Sequence, residues 1–226
     1  MSSGVSGSGL SGGRARVLPD DEAGRAEAIE VLRSGGIVAM PTDTVYGVGV
    51  SLDADQALPR LFAAKDRPLD KAIVLLVSDV EQASTVGVMT RAASILAERF
   101  WPGGLTLVLL QAPGAALPAV LTGGAATIGV RIPGHDSPRA LAAALGPLPV
   151  TSANVSGEPP AVTADEAMAQ LGERIQLVLD GGPARGGVPS TVVDCSGERP
   201  TILRAGAIDP ARIADALDAA GFAPSA

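Results

Sequence analysis

What most constrains the fold of this chain is a regular alternation of short apolar runs with longer amphipathic ones. Nearly every switch is marked by glycine, proline or a helix-capping residue. The spacing predicts a helix over residues 23–33, ended by Gly35-Gly36, because glycine accepts the left-handed conformation that closes a helix. A strand over 37–40 follows, then a helix over 53–64, a buried strand over 72–77, and a helix over 91–100 stopped by Trp101-Pro102-Gly103-Gly104. Further on, the pattern predicts strands over 105–110 and 127–132, a helix over 137–145 and a short strand ending near Thr151. Thr163-x-x-Glu166 is a capping box opening a helix that runs to Leu171. Strands over 176–179 and 191–195, a short strand near Ile202 and a final helix complete the chain. Strands alternating with helices give an α/β layer architecture, and the adjacent strands late in the chain require a mixed sheet.

The chain has 226 residues, 46% of them hydrophobic, which is ample for one large core. Neither an internal repeat nor a linker divides it, so one domain is expected over residues 16–222. Residues 1–15 read as a disordered tail, since their Ser/Gly-rich sequence offers little apolar area against the entropy of ordering. Gly7-x-Gly9-x-x-Gly12 and Gly9-x-Ser11-x-Gly13 match nucleotide-binding and nucleophile-elbow patterns, but no strand precedes them and both are chance. No apolar run approaches the roughly 20 residues of a membrane span. No leader is recognisable and Cys195 is the single cysteine, so a soluble, cytoplasmic protein that does not engage membranes is expected. A net charge of −7 and 2% aromatic residues argue against a nucleic-acid-binding module.

The chemistry begins with lysine usage. Only Lys65 and Lys71 occur, against 15 arginines, and both fall in Lys65-Asp66-Arg67-Pro68-Leu69-Asp70-Lys71, between a helix and a strand. Two ammonium groups beside a forked guanidinium suit a polyphosphate, although cations are also favoured at any helix C-terminus. Three hydroxyl-rich segments, Pro41-Thr42-Asp43-Thr44, Thr151-Ser152-Ala153-Asn154 and Pro189-Ser190-Thr191, each adjoin a strand, where open sheets place ligands. Each alone is ordinary turn chemistry; together they favour a pocket. Arg131 on a strand suits a carboxylate. His135, the only histidine, reads as a helix cap or a surface histidine, and neither it nor Cys195 has a metal-ligand-spaced partner, so no protein metal site is expected. Asn154-x-Ser156 is a glycosylation sequon without meaning in the cytoplasm. An α/β domain with cations and hydroxyls but no evident nucleophile suits a nucleotidyl transfer driven by alignment and charge stabilisation.

Read together, these segments resemble the YrdC-like family, the L-threonylcarbamoyladenylate synthases, over about residues 28–208. The likeness rests on Gly36-Ile-Val-Ala-Met-Pro-Thr-Asp-Thr-Val-Tyr-Gly-Val-Gly49, Lys65-x-Arg67-Pro68, Phe100-Trp-Pro-Gly-Gly-Leu-Thr-Leu107, Val130-Arg-Ile-Pro133, Thr151-Ser-Ala-Asn-Val-Ser-Gly157, Pro189-Ser-Thr-Val-Val-Asp194 and Leu203-Arg-Ala-Gly206, in that order. The resemblance implies an open twisted mixed sheet flanked by helices around a large concave cavity. It implies an enzyme that converts L-threonine, bicarbonate or CO2, and ATP with Mg2+ into threonylcarbamoyl-AMP and pyrophosphate, the first step of tRNA t6A modification. The product would pass to a threonylcarbamoyl transferase complex, with at most weak contact to tRNA.

By the same resemblance Lys65 and Arg67 are catalytic and clamp the ATP phosphates with Lys71. Thr127, Ser152, Asn154 and Arg204 also contact nucleotide, and Thr44, Arg131, Ser152 and Ser190 hold threonine. Leu76 stands where some members carry a histidine near threonine. The short distance from Arg204 to the end of the sequence suggests the single-domain type. The alternatives are a double-stranded RNA- or tRNA-binding module of the same fold, and a carbamoyl-transfer domain like those of hydrogenase maturation proteins. As an exposed phosphate clamp, Lys65 and Arg67 are each expected to tolerate alanine without loss of fold while losing most turnover.

Overall fold

The structure, a computed structural model, describes residues 13–222; the expected tail lies outside the described residues up to residue 12. In chain order the elements are β1 (Arg16–Pro19), α1 (Glu22–Arg33), β2 (Val38–Met40), β3 (Gly47–Gly49), α2 (Ala57–Ala64) and β4 (Val74–Leu76). Next come α3 (Val80–Val86), α4 (Arg91–Phe100), β5 (Leu105–Leu110), α5 (Ala119–Thr122), β6 (Thr127–Arg131) and α6 (Asp136–Leu145). The chain closes with β7 (Leu148–Ser152), α7 (Ala164–Leu171), β8 (Leu177–Asp180), β9 (Thr191–Asp194), β10 (Thr201–Arg204) and α8 (Pro210–Ala219). Just before β1, Ala15 is buried and its N–H donates to the Gly172 carbonyl.

Among the described residues ten strands form one mixed sheet in the order β1-β8-β2-β3-β7-β4-β6-β5-β9-β10. Parallel pairs (β1 with β8, β8 with β2, β4 with β6, β5 with β9) are interspersed with antiparallel ones. One face carries the larger core, where Leu61 and Phe62 of α2, Leu96 and Phe100 of α4, Leu171 of α7 and Ile213 of α8 meet Leu75, Leu105, Leu107 and Val130 of the strands. The second face is covered only in part. Ala28 and Leu32 of α1 and Leu141 and Ala142 of α6 pack on strands β8, β2, β7 and the end of β4, and no apolar residue of this cluster comes from β6, β5, β9 or β10. Half of the second face therefore lies open.

The helix caps follow the sequence chemistry. Asp21, Asp79, Thr90, Thr163 and Asp209 each accept an N–H of the first helical turn. Glu166 completes its box one residue early, accepting from the Val162 N–H at 2.7 Å. Helix α2 starts at Ala57, not residue 53, because Gln56 is left-handed at φ 55°. Four elements escape the sequence pattern: β1, β3, α3 and α5. Strand β3 is Gly-Val-Gly, which reads as a turn. Its glycines are steric instead, since a Cβ on Gly47 or Gly49 would lie 2.7 Å from the Val150 side chain of the neighbouring strand.

Gly24 shows the same constraint where α1 leaves β1: a Cβ there would sit 2.0 Å from the Pro19 carbonyl oxygen, which cannot move aside. Gly24→Ala is expected to destabilise the fold by about 1–3 kcal/mol. An unchanged thermal melt would show that α1 can slide.

Candidate active site

The open half of the sheet floors a cleft of about 330 Å³. Strand register determines what faces it. Leu76 of β4 pairs with Arg131 of β6, and Thr106 of β5 lies beside Arg131, one step beyond the registered pair Leu107 with Val130. Thr106 pairs with Val192 of β9, and Val192 with Arg204 of β10. Side chains at paired positions share a face, so Leu76, Arg131, Thr106, Val192 and Arg204 form one transverse row on the uncovered side. Thr44 from the β2–β3 connection, Ser152 at the end of β7, Ser190 just before β9 and Arg67 after α2 close the cleft around that row.

Arg131 organises the centre. Its Nε donates to the Gly103 carbonyl at 2.9 Å, Nη1 to Thr44 Oγ1 at 2.9 Å, and Nη2 to Asp43 Oδ1 at 2.5 Å. Asp43 Oδ1 also accepts the Gly134 N–H at 2.9 Å. Thr44 is fixed in turn, its Oγ1 lying 3.0 Å from Thr42 Oγ1, which donates to the Val45 carbonyl. A guanidinium has five N–H donors; three are committed to the protein, leaving one on each terminal nitrogen. Burial lowers the Arg131 pKa, the Asp43 carboxylate opposes that, and Arg204 adds to the lowering.

Arg204 donates from Nε and Nη2 to the Ser190 carbonyl at 3.2 and 2.8 Å, and Ser190 Oγ lies 2.8 Å from Thr106 Oγ1. Arg67 is braced by the Lys71 and Ala72 carbonyls at 3.1 and 2.6 Å. Desolvation lowers the pKa of both Arg67 and Arg204. Among the described residues the charged side chains lining the cleft are Arg67, Arg131 and Arg204, so it is built for anions.

Of the residues singled out by sequence, Thr44, Arg67, Arg131, Ser152, Ser190 and Arg204 converge on the cleft, while Lys65, Lys71, Thr127 and Asn154 do not line it. Lys71 is exposed and meets Arg67 only through its carbonyl. Thr127 shares the sheet face of Arg131, four residues away on β6, beyond the lining. Asn154 is buried and shapes its own loop, its amide donating to the Val155 and Glu158 carbonyls while Oδ1 has no partner. His135 is the helix cap expected, its Nδ1 accepting from the Ser137 N–H at 3.2 Å. Thr106 and Tyr46 line the cleft without having been singled out. Thr106 had a signal, as the one polar side chain in Leu105-Thr-Leu-Val-Leu-Leu110.

Lys65 corrects the expectation of an exposed clamp. It is 1% exposed, and its Nζ donates to the Ser152 and Asn154 carbonyls while its own carbonyl accepts the Ser156 N–H. The side chain thus ties the end of α2 to the loop after β7. Burial, with help from Arg67, pulls its pKa from 10.5 to about 7. A neutral amine has two N–H donors, which match the two carbonyls.

Removing that amine strands two buried carbonyls, which costs about 1–3 kcal/mol; Lys65→Met should therefore lower the melting temperature, and Arg67→Ala, at the cleft surface, should not. Equal melts would return Lys65 to the role of an exposed clamp. The sign of the pH effect follows from the lowered pKa. Below pH 7 the folded protein bears the full cost of a buried ammonium, and between pH 7 and 10.5 the unfolded chain holds a proton that the folded one has released. Stability in urea should rise across that window in the parent protein, and less so in Lys65→Met.

Comparison with known proteins places this geometry. The Sua5/YciO/YrdC family model, described as "Telomere recombination", matches residues 30–206. A Mycobacterium leprae protein provisionally named a threonylcarbamoyl-AMP synthase is 41% identical over 201 residues, covering 88% of this chain and 90% of its own. The Bacillus subtilis threonylcarbamoyl-AMP synthase is 38% identical over 190 residues, 83% of this chain but 55% of its own. The crystal structure of Pyrococcus abyssi Sua5 complexed with L-threonine superposes with a TM-score of 0.84 at 35% identity, covering 91% of this chain and 60% of that one. This chain thus spans nearly all of the mycobacterial relative and little more than half of the other two. With the family model matching most of the chain, and the same mixed sheet present, the chain belongs to the Sua5/YciO/YrdC family.

Proposed function

We propose that the cleft is the active site of a threonylcarbamoyl-AMP synthase. It would join L-threonine, bicarbonate or CO2, and ATP into threonylcarbamoyl-AMP and pyrophosphate, the first step of t6A formation on tRNA. The observation that carries this reading is the lining itself: three arginines, a set of hydroxyls, and neither a carboxylate nor a histidine. Such a site can hold anions and orient them, but its lining holds no carboxylate or imidazole to activate its serine and threonine hydroxyls as nucleophiles. The proposed reaction needs none. The threonine amine adds to CO2 and gives up a proton to solvent water, leaving a carbamate; a carbamate oxygen attacks the α-phosphorus, and the bond to the bridging oxygen breaks as pyrophosphate leaves. Holding the carbamate against the α-phosphate and neutralising charge supply the rate. The names of the relatives and the threonine complex of the Pyrococcus protein support the same reading.

In this scheme the two uncommitted N–H groups of Arg131 take the threonine carboxylate, a bidentate match. Thr44, Ser152 and Ser190 surround the rest of the amino acid, and Arg67 and Arg204 face the nucleotide phosphates. Lys65 serves the site from beneath by holding the Ser152–Asn154 turn. Thr127, Asn154 and Lys71 would contact nucleotide only if it extends past the present lining. Among the described residues no group of three or more His, Cys, Asp or Glu could hold a metal, and the cleft lining has no carboxylate. The protein does not fit a resident Mg2+, which would arrive on the phosphates of ATP. The adenylate is a reactive mixed anhydride, and a threonylcarbamoyl transferase is its proposed recipient. No helix among the described residues is long and apolar enough to cross a membrane, and the proposed place of work is the cytoplasm.

The test is pyrophosphate release from ATP-Mg2+ with L-threonine and bicarbonate supplied together or singly. Release should require both. Arg131→Lys, which keeps the charge but loses the fork, should raise the threonine KM on the order of tenfold with the ATP KM unchanged. Release indifferent to threonine would refute the proposal.

A further inference from the structure

We infer that Thr106 is a positioning residue that aims the Ser190 hydroxyl at the β-hydroxyl of the substrate, and so sets the preference for a β-hydroxy amino acid. The inference rests on the proposed synthase reading and names how its amino-acid subsite discriminates.

The argument starts from the two neighbours of Arg131 in the transverse row. On one side is Leu76 and on the other Thr106, all three facing the cleft. An amino acid whose carboxylate sits on the Arg131 fork therefore has an apolar wall on one flank and a hydroxyl on the other. Its polar atoms belong on the Thr106 side.

Thr106 is 1% exposed, and its Oγ1 has one protein partner among the described residues, Ser190 Oγ at 2.8 Å. Ser190 Oγ has a second neighbour, Arg204 Nη2 at 3.3 Å, which can only donate. A hydroxyl oxygen has two acceptor sites and one donor hydrogen. Either hydroxyl can donate across this contact; in the proposed arrangement Thr106 is the donor, both acceptor sites of Ser190 are filled, and its hydrogen is free for the cleft. Thr106 thus commits the Ser190 proton outward, and a substrate hydroxyl oxygen is the acceptor that would use it. If Thr106 is absent, Ser190 can turn, and the analogue lacking a hydroxyl loses nothing.

The experiment is calorimetric titration of the folded protein with L-threonine and with L-2-aminobutyrate, which differs only by the missing hydroxyl. Thr106→Val keeps the shape and removes the hydroxyl, and Thr106→Ser restores it; thermal melts check that each variant is folded. One neutral hydrogen bond corresponds to about a three- to tenfold change in affinity. Thr106→Val should lose that factor for threonine and not for 2-aminobutyrate, with Thr106→Ser recovering it. Equal weakening of both ligands would mean that Thr106 only packs, and no weakening of either would mean that Ser190 is not oriented by it; either result overturns the inference. If the parent protein binds neither ligand while remaining folded, the synthase reading itself fails, and the inference with it.

Discussion

A guanidinium buried in the middle of a sheet face is costly unless its charge and its donors are met, and the arrangement around Arg131 depends on that constraint. Asp43 supplies the countercharge, and Thr44 and the Gly103 carbonyl take two further donors. These partners come from the β2–β3 connection and the turn before β5, so one side chain on β6 holds two loops over the sheet. Breaking a buried pair of this kind from one side typically costs about 3–5 kcal/mol. Among the described residues no helix covers this half of the sheet, and the pair gives a physical reason for that. A helix packed there would have to bury the remaining Arg131 donors as well as the hydroxyls of Thr106 and Ser190, with nothing to receive them. Left open, the same groups become a site.

The architecture is legible in the sequence wherever the hydrophobic period is long enough to read. Helix α4 and strand β5 fall on their expected residues because Arg91-to-Phe100 has a clear apolar stripe and Leu105-to-Leu110 is apolar but for Thr106. Strand β3 is illegible for a physical reason: its glycines are demanded by the approach of Val150, a contact that exists only once β7 lies beside it. Strand β1 pairs with a segment about 160 residues away, and nothing local in Arg16-Val-Leu-Pro19 announces that partner. The open half-face is likewise invisible, because it depends on which helices fail to cover which strands.

The site shows the same division. Arg131, Thr44, Ser152 and Ser190 could be picked out because three hydroxyl-rich segments each adjoin a strand and an arginine lies on another, and they do meet. Residue type alone did not fix direction. Lys65 and Arg67 are two residues apart after the same helix, yet one points into the protein against the Ser152 and Asn154 carbonyls and the other into the cleft. Thr106 went unassigned since a single threonine in a leucine-rich strand is common, and only the register placing it beside Arg131 gives it meaning.

The central claim is that Asp43 and Arg131 act as one unit that presents a carboxylate-binding fork. A double-mutant cycle measures this directly: threonine affinity of the parent protein, Asp43→Asn, Arg131→Lys and the double variant, by calorimetry. The account predicts that the two substitutions couple by about 1 kcal/mol or more, the double variant binding scarcely worse than the weaker single one. Additive losses would contradict it, because each residue would then be acting on threonine alone.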